Sequence, residues 1–196
     1  RGRVVIVLCR HGRTAANAAR LLQGRSDLPL DTEGQRQVQD MVAYVTGTFG
    51  TPDMVISSPL QRAAQTAEAF GVEYRVDERW SELDYGEWDG TPLAEVAAET
   101  WARWRSDVHF AAPAGETMAE LDARVRAACL EVLPHARDQL VVITSHVSPI
   151  KAAVAWALGV DIGVSWRRIL HQASVSTIAV SEAGPSLSSF NVVAWR

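Results

Sequence analysis

The chain has 196 residues, of which 47% are hydrophobic and 21% charged, and a formal net charge of −4. That balance excludes a disordered chain and argues against general nucleic-acid binding. No apolar run is long enough to span a membrane, and two cysteines are too few for a disulfide framework. The length suits one α/β domain with a sizeable core, so residues 1–196 are read as a single domain.

The apolar, β-branched run at residues 4–9 reads as a buried strand of a parallel sheet. It is too short for a signal peptide and leads directly into Arg10-His11-Gly12. The chain opens on Arg1 rather than Met, which leaves a longer parent chain open. Thr14 is placed to cap a helix reaching Leu22, and residues 23–30 form a loop by their Gly, Ser and Pro content. Asp31 or Thr32 caps a helix to about Thr48, with an apolar stripe of Val38, Met41, Val42 and Val45. A strand at 54–57 is followed by a helix at 59–70 and a short strand at 73–76. Residues 78–90 read as an irregular loop carrying Trp80, Glu82, Tyr85 and Trp88.

Residues 92–116 are expected to form a helical lid holding Trp101, Trp104, His109 and Phe110. One or two of its aromatic residues should belong to the core, and the rest should cover a leaving group. A long helix follows at 117–136, then a strand at 140–144 and a helix at 149–158 with Ser148 as its cap. Antiparallel strands near 175–180 and 188–193 close the chain around a Gly184-Pro185 turn. Alternating β and α elements predict a three-layer α/β/α sandwich with a mostly parallel sheet and an antiparallel edge strand.

Three of these strands deliver chemistry to one edge. The first ends at Arg10-His11, the second leads to Arg62 one turn into its helix, and the strand at 140–144 ends at Ser145-His146. Ligands of open α/β sheets bind at the carboxyl ends of the strands. Two histidines and two arginines there make a place for an anion. Cys9 and Cys129 fall in core positions and read as buried thiols of a reducing, cytoplasmic compartment. No Cys/His cluster has zinc-ligand spacing, so neither a metal nor a cofactor is expected.

Four blocks occur in order: Leu8-Cys9-Arg10-His11-Gly12-Arg13-Thr14, Ser57-Ser58-Pro59-Leu60-Gln61-Arg62, Ser81-Glu82-Leu83-Asp84-Tyr85-Gly86 and Ser145-His146. Together they resemble the histidine phosphatase superfamily, the phosphoglycerate mutase-like group. The resemblance implies a phosphohistidine intermediate on His11, oriented by a backbone carbonyl near Gly12. Arg10, Arg62 and a protonated His146 would hold the phosphoryl oxygens, with the Val147 N–H as a further donor. Glu82 matches the family's acid; it would protonate the leaving oxygen and then activate water, with Asp84 and Glu87 as nearby competitors. Asn17, Gln23 and Gly24 lie where family members place phosphate or substrate contacts. Ser57 could reach the phosphate or hold Arg62, and Gln172 and Ser174 are weaker candidates.

Two positions depart from the family pattern: Arg13, often Glu or Gln, and Val147, often Gly. The run Ser145-His146-Val147-Ser148-Pro149-Ile150-Lys151 resembles the second-histidine block of acid and α-ribazole-phosphate phosphatases, including a domain fused to ribonuclease H in some bacteria. The leading expectation is a metal-independent phosphatase of a small phosphorylated metabolite, working as a monomer or homodimer with no nucleic-acid or membrane partner. The alternatives are phosphoglycerate mutase-type transfer and a non-catalytic phosphate-binding module.

Overall fold

A computed structural model describes residues 5–195; residue 4, the expected start of the first strand, lies outside the described residues. Strands β1 (Val5–Arg10), β2 (Met54–Ser57), β3 (Tyr74–Val76), β4 (Leu140–Ser145), β5 (Ser174–Ser181) and β6 (Gly184–Val193) form one sheet in the order β3-β2-β4-β1-β5-β6. β1, β2, β3 and β4 pair in parallel, β5 is antiparallel to β1, and β6 is antiparallel to β5. Among the described residues β5 therefore runs alone against the other five strands.

Side-chain alternation sorts β1 between two cores. Val5, Val7 and Cys9 pack with Val38, Met41 and Val45 of helix α2 (Thr32–Phe49) and Ala67 of α3 (Gln61–Glu68). Ile6 and Leu8 face the other way, toward Leu121, Val125 and Cys129 of α5 (Met118–Val132) and Ile150 and Val154 of α6 (Val147–Leu158). The sheet is thus the middle of three layers, and the continuous apolar runs of β1 and β4 follow from burial on both faces. Both cysteines are free and buried. No helix among the described residues is long and apolar enough to cross a membrane.

Several boundaries differ from expectation, each for a local reason. The helix after Thr14, α1, is one turn long (Ala15–Ala18); Arg20 then takes φ 57° and Leu21 bridges to Pro92. Pro134 ends α5 before the expected Ala136, and a short 3₁₀ turn at His135–Arg137 follows. The lid segment contributes α4 (Ala98–Ser106). α3 begins at Gln61 rather than Pro59, with Leu60 still extended. α6 begins two residues earlier than expected, so His146 holds the N-cap position and Ser148 and Pro149 lie within the first turn. At the hairpin, the chain reverses before Gly184-Pro185, which open β6; Gly184 takes φ 109°. Pro185 lacks a donor, and an edge strand tolerates that.

The register of the sheet positions the site. Arg10 pairs with Ser145 and Ser57 with Thr144. His11 N–H continues the ladder to the Ser145 carbonyl at 3.0 Å, and Ser58 N–H to that of Thr144 at 3.1 Å. His11, Ser58 and His146 therefore emerge side by side at the carboxyl edge.

Candidate active site

His11 is buried, with 3% exposure, at the floor of a cleft of about 300 Å³. Its Nδ1 lies 2.7 Å from the Gly12 carbonyl oxygen. A carbonyl only accepts, so Nδ1 carries the hydrogen and Nε2 keeps its lone pair. Burial, then the nearby Arg62 and Arg10 charges, hold the imidazole well below its usual titration range, so it is neutral at pH 7. Gly12 is required by close approach: a Cβ there would lie 2.3 Å from the Gly34 carbonyl oxygen.

Two buried guanidinium groups flank this ring. Burial pulls each down to about 10, against the opposing field of Glu82, and both stay charged at neutral pH. Arg10 Nη1 donates to the Leu170 carbonyl, while Arg10 Nε is buried without a partner. Arg62 donates through Nη1 to the Ser26 carbonyl and through Nη2 to the Gly24 carbonyl, both at 2.7 Å, and through Nε to His146 Nδ1 at 3.2 Å. A guanidinium carries five N–H donors, so each terminal nitrogen of Arg62 retains one.

His146 departs from its expected role as a third phosphate donor. It is fully buried; Nδ1 accepts from Arg62, and Nε2 meets Ser58 Oγ at 2.7 Å. With Nδ1 occupied by an arginine donor, the neutral ring carries its hydrogen on Nε2 and gives it to Ser58. Burial, followed by the Arg62 field, holds this ring neutral as well. Both nitrogens are spent on the protein, and the ring packs 5.1 Å from the His11 ring, centroid to centroid.

Glu82 takes the place expected for an anion at the start of α6. Its Oε2 accepts from Val147 N–H at 3.0 Å, and its Oε1 from Ser148 N–H at 3.1 Å and Leu83 N–H at 2.7 Å. The Val147 N–H is therefore engaged by this carboxylate instead of pointing free into the cleft. These are the amides a helix N-terminus leaves without intrahelical partners. The Glu82 backbone is held by Arg124, which donates to its carbonyl at 3.2 Å and forms a two-point pair with Glu116 at 2.6 and 2.8 Å.

Asn17 and Gln23 line the cleft as expected. Asn17 Oδ1 accepts from Thr14 N–H in the α1 capping box, and its Nδ2 donates to Gln23 Oε1 at 3.2 Å. Thr14 Oγ1 donates to the same oxygen, which leaves Gln23 Nε2 buried and unpartnered. Gly24 contributes structure: its N–H donates to Asp89 and its carbonyl accepts from Arg62. Ser57 reaches neither cleft nor Arg62; its hydroxyl donates to the Ser58 carbonyl, and the neighbouring Ser58 holds His146. Arg13 pairs with Asp31 at 2.8 Å. Gln172 lines the cleft, whereas Ser174 Oγ is buried without a partner.

The aromatic residues of the 92–116 segment divide between core and cleft. Trp104 is core, with 1% exposure, and packs against Tyr85, Trp88, Trp101 and Phe110. Trp101 reaches the cleft, together with Tyr85, Leu93 and Trp166. Trp80 does not: it is fully buried, and its carbonyl accepts from Ser145 Oγ at 2.6 Å. The sequence reading missed Trp166, Ser58, Arg124 and Asp89. Asp89 ties Gly24 and Ser26 in place from more than sixty residues away, and no local pattern signals such a contact.

The family model described as histidine phosphatase superfamily (branch 1) matches residues 6–193. A Mycobacterium tuberculosis protein named as bifunctional is 35% identical over 178 residues; the match covers 87% of this chain and 49% of that protein, about half its length. Phosphoserine phosphatase 1 of Hydrogenobacter thermophilus is 30% identical over 197 residues, covering 96% of this chain and 92% of its own. Among solved structures, a mycobacterial glucosyl-3-phosphoglycerate phosphatase in complex with VO3 superposes with a TM-score of 0.85 at 26% identity, covering 97% of this chain and 99% of its own.

Proposed function

Since the chain belongs to the histidine phosphatase superfamily (branch 1), we propose that it is a phosphatase that hydrolyses a small phosphomonoester through His11. The observation that carries this reading is a set of unspent donors around a neutral nucleophile. Arg10 Nε and Gln23 Nε2 are buried with no partner, and each lies in a residue that lines the cleft beside His11. An unpaired buried donor is costly, and a cationic one more so. A phosphoryl group, with its charge spread over three oxygens, satisfies these two donors, and the Arg62 charge behind the lining residues adds to the field it meets.

In this mechanism the His11 Nε2 lone pair forms a bond to phosphorus as the ester P–O bond breaks. Glu82 enters this step as the carboxylic acid, gives its proton to the leaving oxygen and is left as a carboxylate. Water then attacks the phosphohistidine, Glu82 recovers a proton from it, and inorganic phosphate leaves with His11 neutral again. The Gly12 carbonyl holds the ring in the tautomer that makes Nε2 the attacking atom. His146 acts one step back, by fixing Arg62. Two guanidinium groups meet the transition-state charge, so the reading needs no metal or other cofactor. The relatives named as phosphoserine phosphatase and glucosyl-3-phosphoglycerate phosphatase support hydrolysis, while relatives named as probable phosphoglycerate mutase, at 34% and 35% identity, keep mutase-type transfer as the alternative.

The purified protein should hydrolyse p-nitrophenyl phosphate and show no interconversion of 2- and 3-phosphoglycerate when primed with 2,3-bisphosphoglycerate. Interconversion outpacing hydrolysis would reassign the chain as a mutase. Phosphate binding with neither reaction would make it a binding module.

A further inference from the structure

The two cleft arginines are anchored unequally. Among the described residues the Arg10 side chain makes one hydrogen bond, from Nη1 to the Leu170 carbonyl, whereas Arg62 makes three. Leu170 belongs to a strap, residues 168–173, which joins the 3₁₀ helix at Ile162–Arg167 to β5 and has no regular secondary structure of its own. The strap also carries Gln172, which lines the cleft, and Ala173, whose N–H donates to the His11 carbonyl at 3.0 Å. Ala173 holds φ 45°, in the left-handed region that a Cβ disfavours. Such a shape persists only where the surroundings fix it.

The support comes from β6. Val175 pairs with Val192 and Thr177 with Ser189, so Phe190 and Asn191 stand together opposite Ser176. Two residues against one make a bulge, which re-aims the side chains it carries. Asn191 takes φ 59°, a conformation Asn tolerates better than most residues, and its N–H donates to Ser176 Oγ at 3.1 Å. Its side chain then grips the strap at two points. Oδ1 accepts from His171 N–H at 2.8 Å, and Nδ2 lies 2.9 Å from His171 Nδ1. A backbone N–H only donates, which fixes the orientation of the amide; Nδ2 therefore donates to Nδ1, and the His171 hydrogen sits on Nε2. The other bulge residue adds a second hold, with the Arg168 guanidinium 5.3 Å from the centroid of the Phe190 ring.

We propose that Asn191 is a positioning residue of the active site: its clasp on His171 fixes the strap, and the Leu170 carbonyl of the strap sets the Arg10 guanidinium against the phosphoryl group. The inference rests on the phosphatase reading, which makes Arg10 a phosphoryl ligand. Asn191 lines no part of the cleft, so it acts only through what it holds. A side chain with one anchor moves when that anchor moves, and a misplacement of about 1 Å costs up to about 10²-fold in rate. Arg62 is insulated from this route, because its anchors, Gly24, Ser26 and His146, lie outside the strap.

The test reads kcat/KM for p-nitrophenyl phosphate and the calorimetric affinity for inorganic phosphate. Asn191→Gly suits the left-handed backbone and deletes both bonds of the clasp. It should lower kcat/KM by about ten- to a hundredfold and weaken phosphate binding by about tenfold. Asn191→Asp should stay within about threefold of the wild type, because its carboxylate accepts from His171 N–H and, once the imidazole hydrogen moves to Nδ1, from the ring as well. In an Arg10→Ala background Asn191→Gly should cost less than about twofold in either quantity, since the group it serves is gone. His171→Ala removes the ring but keeps the backbone bond; it should give a smaller loss with the same coupling to Arg10, and it decides the matter if Asn191→Gly fails to fold. If no ester is hydrolysed but phosphate binding shows this coupling, the phosphatase reading fails and the positioning role stands. A loss that persists in full without Arg10, a loss as large in Asn191→Asp as in Asn191→Gly, or unchanged values in both Asn191→Gly and His171→Ala overturns the positioning role.

Discussion

β1 and β4 lie side by side, each six residues long, each buried throughout, and each followed directly by a histidine. Their histidines nonetheless have opposite uses. His11 spends one nitrogen on the adjacent Gly12 carbonyl and keeps the other for the cleft. His146 spends both, on Arg62 and on Ser58, and lines no part of the cleft. The first ring is anchored by its own loop, and the second by residues more than eighty positions away. Equivalent sequence at equivalent strand tips thus leaves one ring, the proposed nucleophile, with a nitrogen free for the cleft and ties the other to an arginine and a serine.

The largest effect should come from the nucleophile. His11→Ala should lower turnover on the order of 10⁴–10⁶-fold, the scale seen when a covalent nucleophile is removed. Its folding stability should change little, because the ring supports no other side chain through a hydrogen bond. Acid-quenched protein from a labelled substrate should carry phosphate on residue 11; label on residue 146 would reverse the assignment of the two rings.

Glu82→Gln should come next. Loss of a general acid costs about 10²–10⁴-fold for an alkyl phosphate, whose oxygen leaves poorly without a proton. p-Nitrophenolate leaves without one, so the pre-steady-state burst with p-nitrophenyl phosphate should slow far less. Equal slowing of both bursts would mean that Glu82 only braces the start of α6, and Asp84 or Glu87 would take its place as the acid.

His146→Ala sharpens the contrast in a different observable. It strips partners from Arg62 Nε and Ser58 Oγ, both buried, and should destabilise the fold by about 1.5–3 kcal/mol in urea titrations. His11→Ala should cost clearly less. A larger stability loss at His11 would contradict the division of roles drawn above.

Acid should act on both rings together. Each is held below its unfolded value in the native state, so below about pH 6.5 the unfolded chain binds protons that the folded chain refuses. Stability is therefore fully present above pH 6.5 and declines as pH falls toward the depressed native values. The slope should reach up to about 1.4 kcal/mol per pH unit for each histidine. Urea midpoints between pH 6.5 and 5 should show it, and either His→Ala variant should roughly halve it. An unchanged slope in both variants would assign the acid sensitivity elsewhere.

Much of this was legible in the chain. Thr117 with Glu120 forms the capping box that starts α5, Asp31 caps α2, and of the expected stripe Val38, Met41 and Val45 are buried while Val42 is half-buried at its margin. Short-range signals failed where a proline misled: Ser148-Pro149 looks like a cap and first helical residue, yet α6 starts at Val147 because Glu82 satisfies its first amides from across the fold. The sequence by itself determined which residue types arrive at the sheet edge, since buried strands end where their apolar runs end and the following residues must emerge there. Only the tertiary structure decided their roles. Which ring has both nitrogens taken up, which amides bind Glu82 and which carbonyls take up Arg62 depend on partners 36 to 88 residues apart, and packing brings those together without any trace in local periodicity.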